Sequence, residues 1–336
     1  MKPDKILLDH GSGGAMSHQL ITETLLPAFM NPFLSQLHDG AVLEPEENRI
    51  AFSTDTFVVD PIFFPGGSIG DLAINGTVND ICMCGAVPKY LSVGLILEEG
   101  FAFADLERIL SDMKRAAFAA EVLIVTGDTK VVPRGAVDKV FINTTGIGFI
   151  PARVQVAASR VTAGDQIILS GSMADHGMTI LSRRENLSFS GPIKSDTAPL
   201  NHLVKKMIGT CPDIHMLRDP TRGGVGTTLN EVARSANLGM RIKENQLLVR
   251  DAVAGICDLL GIDPLYVANE GKLLAFVPPA QAEALIAVMQ SDPLGAEARI
   301  IGEVINDHPG QVVMQTRIGG NRIVRMLTGE QLPRIC

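Results

Sequence analysis

Two successive blocks of alternating strand-like and helix-like segments constrain the fold of this chain more than any other feature of its sequence. The first block alternates segments rich in β-branched residues with segments of helical apolar spacing, at 68–84, 89–98, 105–120, 122–128 and 137–150. The second block starts with IILSG at 167–171 and ends on two strand patterns joined by Gly319-Gly320-Asn321, which is typical of a hairpin. This alternation predicts an α/β (α+β) protein in two parts.

The boundary between the two blocks is predicted immediately after Pro151, where proline ends the last strand pattern. A chain of 336 residues is long for a single core, and its hydrophobic fraction of 46% suffices for two. We therefore predict domains at 1–151 and 152–327. Residues 328–336 follow as a tail, which Gly329 makes flexible and which spans about 30 Å when extended.

The charge of the chain argues against two classes of partner. Its formal net charge is −8 and its isoelectric point is near 5.4, whereas binding to nucleic acid or to anionic membranes relies on clustered Lys and Arg. Every apolar run is interrupted well short of a bilayer span, and the first residues lack the apolar core of a signal peptide. We expect a cytoplasmic protein that binds neither nucleic acid nor membranes.

The five cysteines are interpreted as reduced thiols, because their number is odd and no secretion signal is recognised. Cys82 and Cys84 form a C-x-C pair without a second pair at zinc spacing, so we interpret them as buried structural thiols, like Cys211 and Cys257. Cys336 differs because it is the last residue, on a tail that can move its thiol. The alternative is that this terminal residue has no function.

A glycine-rich segment, His10-Gly11-Ser12-Gly13-Gly14, precedes a helical pattern that starts with AMSHQL. Glycines ahead of a helix let backbone N–H groups approach an anion such as phosphate. The segment lacks the spacing of both the P-loop and the dinucleotide-binding motif, and a plain flexible loop fits it equally well. The anion-binding interpretation therefore depends on acidic residues elsewhere.

Three aspartates share a common local setting. Asp55 follows a short strand pattern in STDT, Asp80 lies on an otherwise apolar helix, and Asp128 ends a β-branched strand in GDTK. Carboxylates and hydroxyls at strand ends suit Mg²⁺, which takes oxygen ligands and shares them with substrate phosphates. Each residue also has a simpler explanation, since Asp55 and Asp128 could cap turns and Asp80 could face solvent.

The second block contributes two further polar motifs. RDPTRGG at 218–224 places Arg222 beside glycines ahead of a helix, where it can bind phosphate, although a salt-bridged turn explains the motif nearly as well. ANEGK at 268–272 precedes a strand, and its Glu270 is a candidate acid or base if it faces the same cleft.

Together these motifs resemble the superfamily that includes aminoimidazole ribonucleotide synthetase, selenophosphate synthetase and thiamine monophosphate kinase. Within it they are most similar to the HypE family, the carbamoyl dehydratases of NiFe-hydrogenase maturation. The motifs that carry the resemblance occur in the family's order and are HGSGG, STDT, VNDICMCGA, GDTKVV, RDPTRGG, ANEGK and a terminal PRIC. The resemblance covers essentially the whole chain, and the terminal cysteine makes it specific.

The resemblance implies a homodimer in which strands of the N-terminal α/β domain pair with those of a second subunit to form a barrel. The C-terminal α/β domain would cover the cleft, and the tail would stay mobile. Mg-ATP would be bound by Asp55, Asp80 and Asp128, with the glycine loop at 11–14 closing on the phosphates. The long strand pattern KYLSVGLILE at 89–98 also favours a dimer, because an exposed sheet edge of that length needs cover.

The reaction that the resemblance implies takes place on Cys336. A partner carbamoyltransferase would transfer a carbamoyl group to its thiol, and ATP would then drive removal of water from that group to give a thiocyanate. Lys130 and Glu270 match the family's lysine and glutamate beside the modified cysteine. The cyanide would finally pass to the iron of the hydrogenase site on a maturation scaffold complex.

Two other functions fit the same motifs. A small-molecule kinase or synthetase would phosphorylate a soluble amide or hydroxyl, with no role for Cys336, and its ATP turnover would be independent of the tail. A thiol-bearing scaffold would carry a group while its partner performs the chemistry. Such a scaffold would not need to bind nucleotide.

Overall fold

The computed structural model describes residues 14–20, 22–23, 41–43, 49–187, 193–329 and 332–336. Its helices are α1 Ala15–Leu20, α2 Ile69–Met83, α3 Phe103–Ala119, α4 Asp175–Arg184, α5 Asn201–Thr210, α6 Gly224–Ala236, α7 Asp251–Leu260 and α8 Pro279–Gln290. Its strands are β1 Ala41–Leu43, β2 Arg49–Phe57, β3 Phe63–Phe64, β4 Gly67–Ser68, β5 Val87–Glu98, β6 Leu123–Val132, β7 Val140–Ile150, β8 Gln166–Leu169, β9 Met216–Arg218, β10 Gly239–Lys243, β11 Leu274–Val277, β12 Arg299–Ile305, β13 Val312–Gln315 and β14 Asn321–Val324. Among these described helices, none combines the length and the apolar character needed to cross a membrane.

The first sheet has the strand order β1-β2-β7-β5-β6, with β6 parallel to β5 and the other pairs antiparallel. Helix α2 packs across one face of this sheet and is buried along almost its whole length. The helix lies close to β7 because Gly146 and Gly148 have no side chain: a Cβ atom on them would lie 2.5 and 2.4 Å from Ile81. This close packing fixes α2, which carries Asp80, against the sheet.

The second sheet has the strand order β14-β13-β10-β12-β8-β11-β9. Its central strands β8 and β11 read QIIL and LAFV, and these apolar runs suit strands that are covered on both faces. A single hydrophobic core contains buried residues from both halves of the chain. The two sheets are therefore joined by packing as well as by the chain itself.

The structure confirms the α/β class and corrects one expectation about the sheet edge. Segments 68–84 and 105–120 form α2 and α3, and the predicted hairpin forms β13 and β14. The expectation that 89–98 lies at a sheet edge is wrong, because it forms most of β5, which pairs with both β7 and β6. Long-range pairing decides which strand lies at an edge, and the local pattern of a strand does not report it.

Strand β6 is one of the two edges of this sheet, opposite β1, and its residues from Leu123 to Val131 are all exposed. Among the residues that the structure describes, none covers the large apolar side chains on the sheet face opposite α2. Large apolar side chains exposed on this face and on β6 are Phe52, Tyr90, Ile96, Leu123, Ile124, Val125, Val131 and Phe149. Contiguous apolar surface of this kind marks an interaction surface more often than a free one.

The last described residues, 332–336, lie between the two halves of the chain. Ile335 and Cys336 are buried as part of the common core. The main-chain oxygen of Cys336 accepts the Val58 N–H at 2.9 Å, and that of Ile335 lies 2.7 Å from His176 Nε2. The structure thus shows the end of the tail in a docked position, and its movement stays a prediction.

Candidate active site

Cys336 Sγ lies in a buried polar cluster to which both halves of the chain contribute. The guanidinium of Arg222 contacts it, with Nη1 3.8 Å from the sulfur. The neighbouring acidic groups of Cys336, Asp55, Glu270 and Asp80 raise the pKa of Arg222, although burial acts in the opposite direction. Arg222 is therefore a buried permanent cation that shares one cluster with the thiol and three carboxyl groups.

Local sequence explains how these side chains are presented. Strand β2 alternates inward and outward residues, so Ser53 and Asp55 share the face that turns toward α2. Asp80, near the end of α2, accepts a hydrogen bond from Ser53 Oγ at 2.7 Å. Arg222 precedes α6 in a turn that Gly223 and Gly224 make possible, since their φ angles are +79° and +61°.

The thiol of Cys336 is unreactive in this position. Burial raises its pKa to about 12; Arg222 opposes the increase, while Glu270 and Asp55 add to it. The docked sulfur is therefore protonated near neutral pH, and a protonated buried thiol is a poor nucleophile. The site suits a group that is already attached to sulfur better than it suits the attachment itself.

Glu270 is a buried carboxyl group close to the thiol, and its pKa is strongly raised. Burial raises its pKa well above the ordinary value, and the nearby Asp55, Asp196 and Asp219 strengthen the shift. Within the described residues, Oε1 of Glu270 is buried without a hydrogen-bond partner. A buried polar atom of this kind is costly unless a ligand supplies the missing partner. The site can therefore accept an additional N–H or O–H donor at this oxygen.

Sequence reasoning missed two buried asparagines that hold the loops of the site together. Asn79, on α2, donates to the main-chain oxygen of Glu270 at 3.2 Å, and Asn269 donates to that of Pro220 at 2.9 Å. The Glu270 loop is thereby tied both to α2 and to the loop that carries Arg222. Each asparagine directly precedes an acidic site residue, and this adjacency is the signal that could have indicated it.

Asp55 and Asp80 fit part of the predicted magnesium site. Burial raises the pKa of Asp55, although Arg222 opposes this, so a further cation beside it would be stabilising. Mg²⁺ typically binds one or two carboxylates together with substrate phosphates and water, and these two residues supply such oxygen donors. Across the described ranges, however, no three His, Cys, Asp or Glu side chains are placed to hold a metal ion on their own.

Asp128 and Lys130 do not join the cluster within one chain. They lie on the exposed strand β6, where Lys130 Nζ is 3.0 Å from Asp128 Oδ2 and both side chains are 69% exposed. One chain therefore does not assemble the predicted three-aspartate metal site, and the catalytic role of Lys130 stays a prediction. The position of β6 follows from its pairing with β5, which the local motif GDTK does not specify.

The predicted glycine loop is described only at its end. Gly11, Ser12 and Gly13 lie outside the described residues. A Cβ atom on Gly14 would lie 2.5 Å from the main-chain oxygen of Leu327, and the N–H of the following residue donates to the same oxygen at 2.5 Å. The start of α1 is thus anchored at the point where the chain leads into the tail.

Both halves of the chain match known domain families. Residues 37–150 match the family described as AIR synthase related protein, N-terminal domain, and residues 162–315 match the corresponding C-terminal domain. The carbamoyl dehydratase HypE of Azotobacter vinelandii is 51% identical over 327 residues, which cover 97% of this chain and 96% of that protein. The similarity therefore extends over the full length of both proteins.

Solved structures show the same relationship. A crystal structure of a HypE–HypF complex aligns with a TM-score of 0.88 at 44% identity and covers 92% of this chain and 99% of that chain. A structure of the hydrogenase maturation protein HypE in complex with ATP aligns with a TM-score of 0.84 at 52% identity, covering 99% and 100%. Domain matches, full-length identity and structural alignment together show that the chain belongs to the HypE family of carbamoyl dehydratases.

Proposed function

We propose that this chain uses ATP to remove water from a carbamoyl group carried on Cys336, and so forms the cyanide ligands of the NiFe-hydrogenase iron. The observation that carries the proposal is the position of Cys336 Sγ, 3.8 Å from Arg222 Nη1 in a buried cluster with Glu270. The related HypE structure with ATP supports the use of nucleotide, and the HypE–HypF complex supports assembly with a partner protein.

Loading of the cysteine takes place outside the cluster. The thiolate is the nucleophilic form of cysteine, and burial in the docked position raises the pKa of Cys336 to about 12. The tail therefore leaves the cluster, and a partner carbamoyltransferase transfers the carbamoyl group to the exposed sulfur. The loaded tail then returns, and after dehydration it delivers cyanide to an iron-carrying maturation scaffold.

Dehydration begins with phosphorylation of the carbamoyl oxygen, because hydroxide is a poor leaving group. The oxygen of Cys336-S-CO-NH₂ attacks the γ-phosphorus of ATP, and ADP leaves with the electrons of the broken P–O bond. One N–H proton passes to a base, which gives the phosphorylated imidate Cys336-S-C(OPO₃)=NH. Arg222, beside the sulfur, is placed to stabilise negative charge on this oxygen and on the phosphoryl group.

The second step eliminates phosphate. Removal of the remaining N–H proton forms the C≡N bond while the C–O bond breaks, and phosphate leaves with the bonding electrons. The products are Cys336-S-C≡N and phosphate, which retains the carbamoyl oxygen. We assign proton acceptance to Glu270, since its Oε1 lacks a partner within the described chain and its raised pKa makes the ionised form a stronger base.

Asp55 and Asp80 would hold Mg²⁺ together with the nucleotide phosphates, while the glycine loop at 11–14 would cover the phosphates. When bound, the ion spreads the charge of the transferring phosphoryl group. The chain contributes orientation: Ser53 Oγ donates to Asp80 at 2.7 Å and holds one carboxylate oxygen in place.

Asp80→Asn tests this nucleotide site. The substitution keeps the size of the side chain while removing its negative charge. We expect the affinity for Mg-ATP to fall by about tenfold or more, because a charged oxygen ligand is lost. Titration calorimetry measures the affinity, with Asp251→Asn on the exposed start of α7 as the matched control. Normal affinity in the Asp80 variant would show that this carboxylate is not part of the nucleotide site.

We also propose a homodimer in which a second subunit covers β6 and the exposed face of the first sheet. The proposal is supported by the apolar side chains on that surface and by the outer edge of β6, which pairs with no strand in the described part of the chain. Burial of β6 in a dimer would place Asp128 and Lys130 in a site that two subunits share. In that arrangement Asp128 could bind Mg-ATP and Lys130 could lie beside the modified cysteine, as the family resemblance implies.

Val131→Glu should separate this dimer. Val131 is 66% exposed on β6 in the single chain, and a charge there would be buried without a partner at the proposed interface. Light scattering should give the parent protein twice the mass of one chain, and the variant the mass of one. Ile318→Glu, at the 96% exposed tip of the β13–β14 hairpin, should stay dimeric. A monomeric parent protein would exclude the dimer.

Intact mass tests the proposed function directly. Incubation with the carbamoyl donor system without ATP should add a carbamoyl group, and subsequent addition of ATP should remove one water from it with release of phosphate. ATP hydrolysis without any change in mass would instead favour a small-molecule kinase. If the carbamoylated protein never loses water, this chain is a scaffold that carries the group while a partner performs the chemistry.

A further inference from the structure

Helix α4 presents two side chains to the main chain at the end of the tail. Every main-chain oxygen of the last four residues accepts a hydrogen bond. The pairs are Arg184 Nη1 to Pro333 O at 2.6 Å, Arg184 Nη2 to Arg334 O at 2.8 Å, the Asp60 N–H to the same Arg334 O at 3.3 Å, His176 Nε2 to Ile335 O at 2.7 Å and Val58 N–H to Cys336 O at 2.9 Å. Helix α4 thus supplies three of these five contacts, and the segment after β2 supplies the other two.

A buried hydrogen-bond chain sets His176 as a donor to the tail. The Thr197 N–H donates to Ser195 Oγ at 3.1 Å, so the hydroxyl proton of Ser195 remains available for His176 Nδ1, 2.7 Å away. Nδ1 then accepts, and the imidazole proton lies on Nε2, where it is donated to Ile335 O. Burial lowers the pKa of His176, with Asp196 acting in the opposite direction, and this agrees with a neutral imidazole.

Arg184 connects the tail to the first half of the chain. Its Nε and Nη2 also donate to the main-chain oxygen of Asp60, at 3.0 and 2.6 Å. From the tail itself, Arg334 Nε donates to Val58 O at 2.8 Å, and its guanidinium pairs with Asp138. The docked tail is therefore held by α4 on one side and by the segment after β2 on the other.

We propose that His176 and Arg184 form a latch that binds the main chain of the tail. This latch sets the fraction of time that Cys336 spends in the docked position and in the free position. Both are positioning residues, since they bind tail oxygens and not the sulfur. The consequence for turnover rests on the proposed function, whereas the effect of the latch on the exposure of the Cys336 thiol does not. Because the latch binds main-chain oxygens, it can hold the tail whether Cys336 is free, carbamoylated or carries a cyano group.

A weaker latch has opposite effects on the two halves of the reaction. More time in the free position exposes Cys336 to solvent and to the carbamoyl donor, so loading becomes faster. Less time in the docked position keeps the loaded cysteine away from Arg222 and Glu270, so dehydration becomes slower. General damage to the protein would slow both, and this difference separates positioning from a merely structural role.

Arg184→Gln tests the latch through the reactivity of Cys336. The full-length parent and variant are treated with iodoacetamide, and alkylation of the C-terminal peptide is followed by mass spectrometry. We expect the rate at Cys336 to rise about tenfold or more, because several charge-assisted hydrogen bonds to the tail are lost. Arg183→Gln, a neighbouring exposed arginine on α4, is the control and should leave the rate unchanged. An unchanged rate in Arg184→Gln would overturn the latch.

Substitution of His176 provides a second, independent test of the latch. His176→Gln keeps an N–H donor that can reach Ile335 O, whereas His176→Leu does not. Alkylation of Cys336 should therefore be faster in the leucine variant than in the glutamine variant. Equal rates in two folded variants would remove His176 from the latch.

Single-turnover measurements complete the test. From protein that has been carbamoylated beforehand, Arg184→Gln should dehydrate more slowly than the parent, while its loading should be faster. Slowing of both steps would overturn the latch in favour of general damage. Faster alkylation in the variant combined with a parent that never dehydrates would uphold the latch and reject the proposed function.

Discussion

Replacement of Cys336 by serine is expected to abolish both carbamoylation and thiocyanate formation while Mg-ATP binding stays at the parent level. Serine keeps nearly the same shape, but its hydroxyl has a much higher pKa than a thiol and is hardly ionised near neutral pH. The hydrogen bonds that hold the tail use main-chain oxygens, so the variant tail should still dock. The loss would therefore come from the missing nucleophile alone.

Intact mass and titration calorimetry check this result side by side. Cys257→Ser is the matched control, because Cys257 is another buried cysteine but lies on α7, outside the cluster. The control protein should load a carbamoyl group and dehydrate it. ATP-dependent cyanide formation by the Cys336→Ser protein would refute Cys336 as the carrier.

Glu270→Gln is expected to stop the reaction after loading. Glutamine fills the same space but cannot take up the N–H proton, and loss of a general base typically slows a reaction by about 10²- to 10⁴-fold. Carbamoylation of Cys336 should proceed as in the parent, because it takes place with the tail outside the cluster. A single-turnover time course by mass spectrometry should show the carbamoyl form persisting after ATP is added. Dehydration at the parent rate would remove Glu270 from the mechanism.

The same substitution should stabilise the protein increasingly as the pH rises. The folded-state pKa of Glu270 is raised above its ordinary value of 4.5, so its favourable contribution is complete below the unfolded pKa and is lost as the pH rises through the folded value. Glutamine does not titrate and avoids this loss. The melting temperature of the variant minus that of the parent should therefore grow as the pH rises above the ordinary value of 4.5. Glu283→Gln, on the exposed side of α8, is the control for the loss of one carboxylate.

Local patterns were sufficient for most of the regular structure. Helices α2 and α3 follow from apolar spacing, and the β13–β14 hairpin follows from its glycine turn, because these signals act over a few neighbouring residues. Strands β9 and β10 and helix α7 were not predicted. A strand as short as β9, Met216–Arg218, owes its existence to pairing with β11, and no local signal reports that pairing.

Glu270 shows why the chemistry of the site could not be read from the sequence. The motif ANEGK identified a carboxyl group with the right chemical type. Its raised pKa comes from burial and from aspartates that approach it from distant segments. The hydrogen bond from Asn79 to the main-chain oxygen of Glu270 likewise joins residues that are 191 positions apart. A motif names a group, whereas the proton affinity of that group depends on what surrounds it.

The α/β class and the HypE family motifs could be predicted from the amino-acid sequence, as could the chemical groups at Asp55, Asp80, Arg222, Glu270 and Cys336. The folded chain was needed to see that these five groups share one cluster, and that Asp128 and Lys130 lie apart from it on an exposed edge strand. It alone also showed the main-chain latch of α4 on the tail. The physical reason is the same in each case. Periodicity and turn chemistry are local, whereas burial, charge proximity and strand order arise from contacts between segments far apart in the chain.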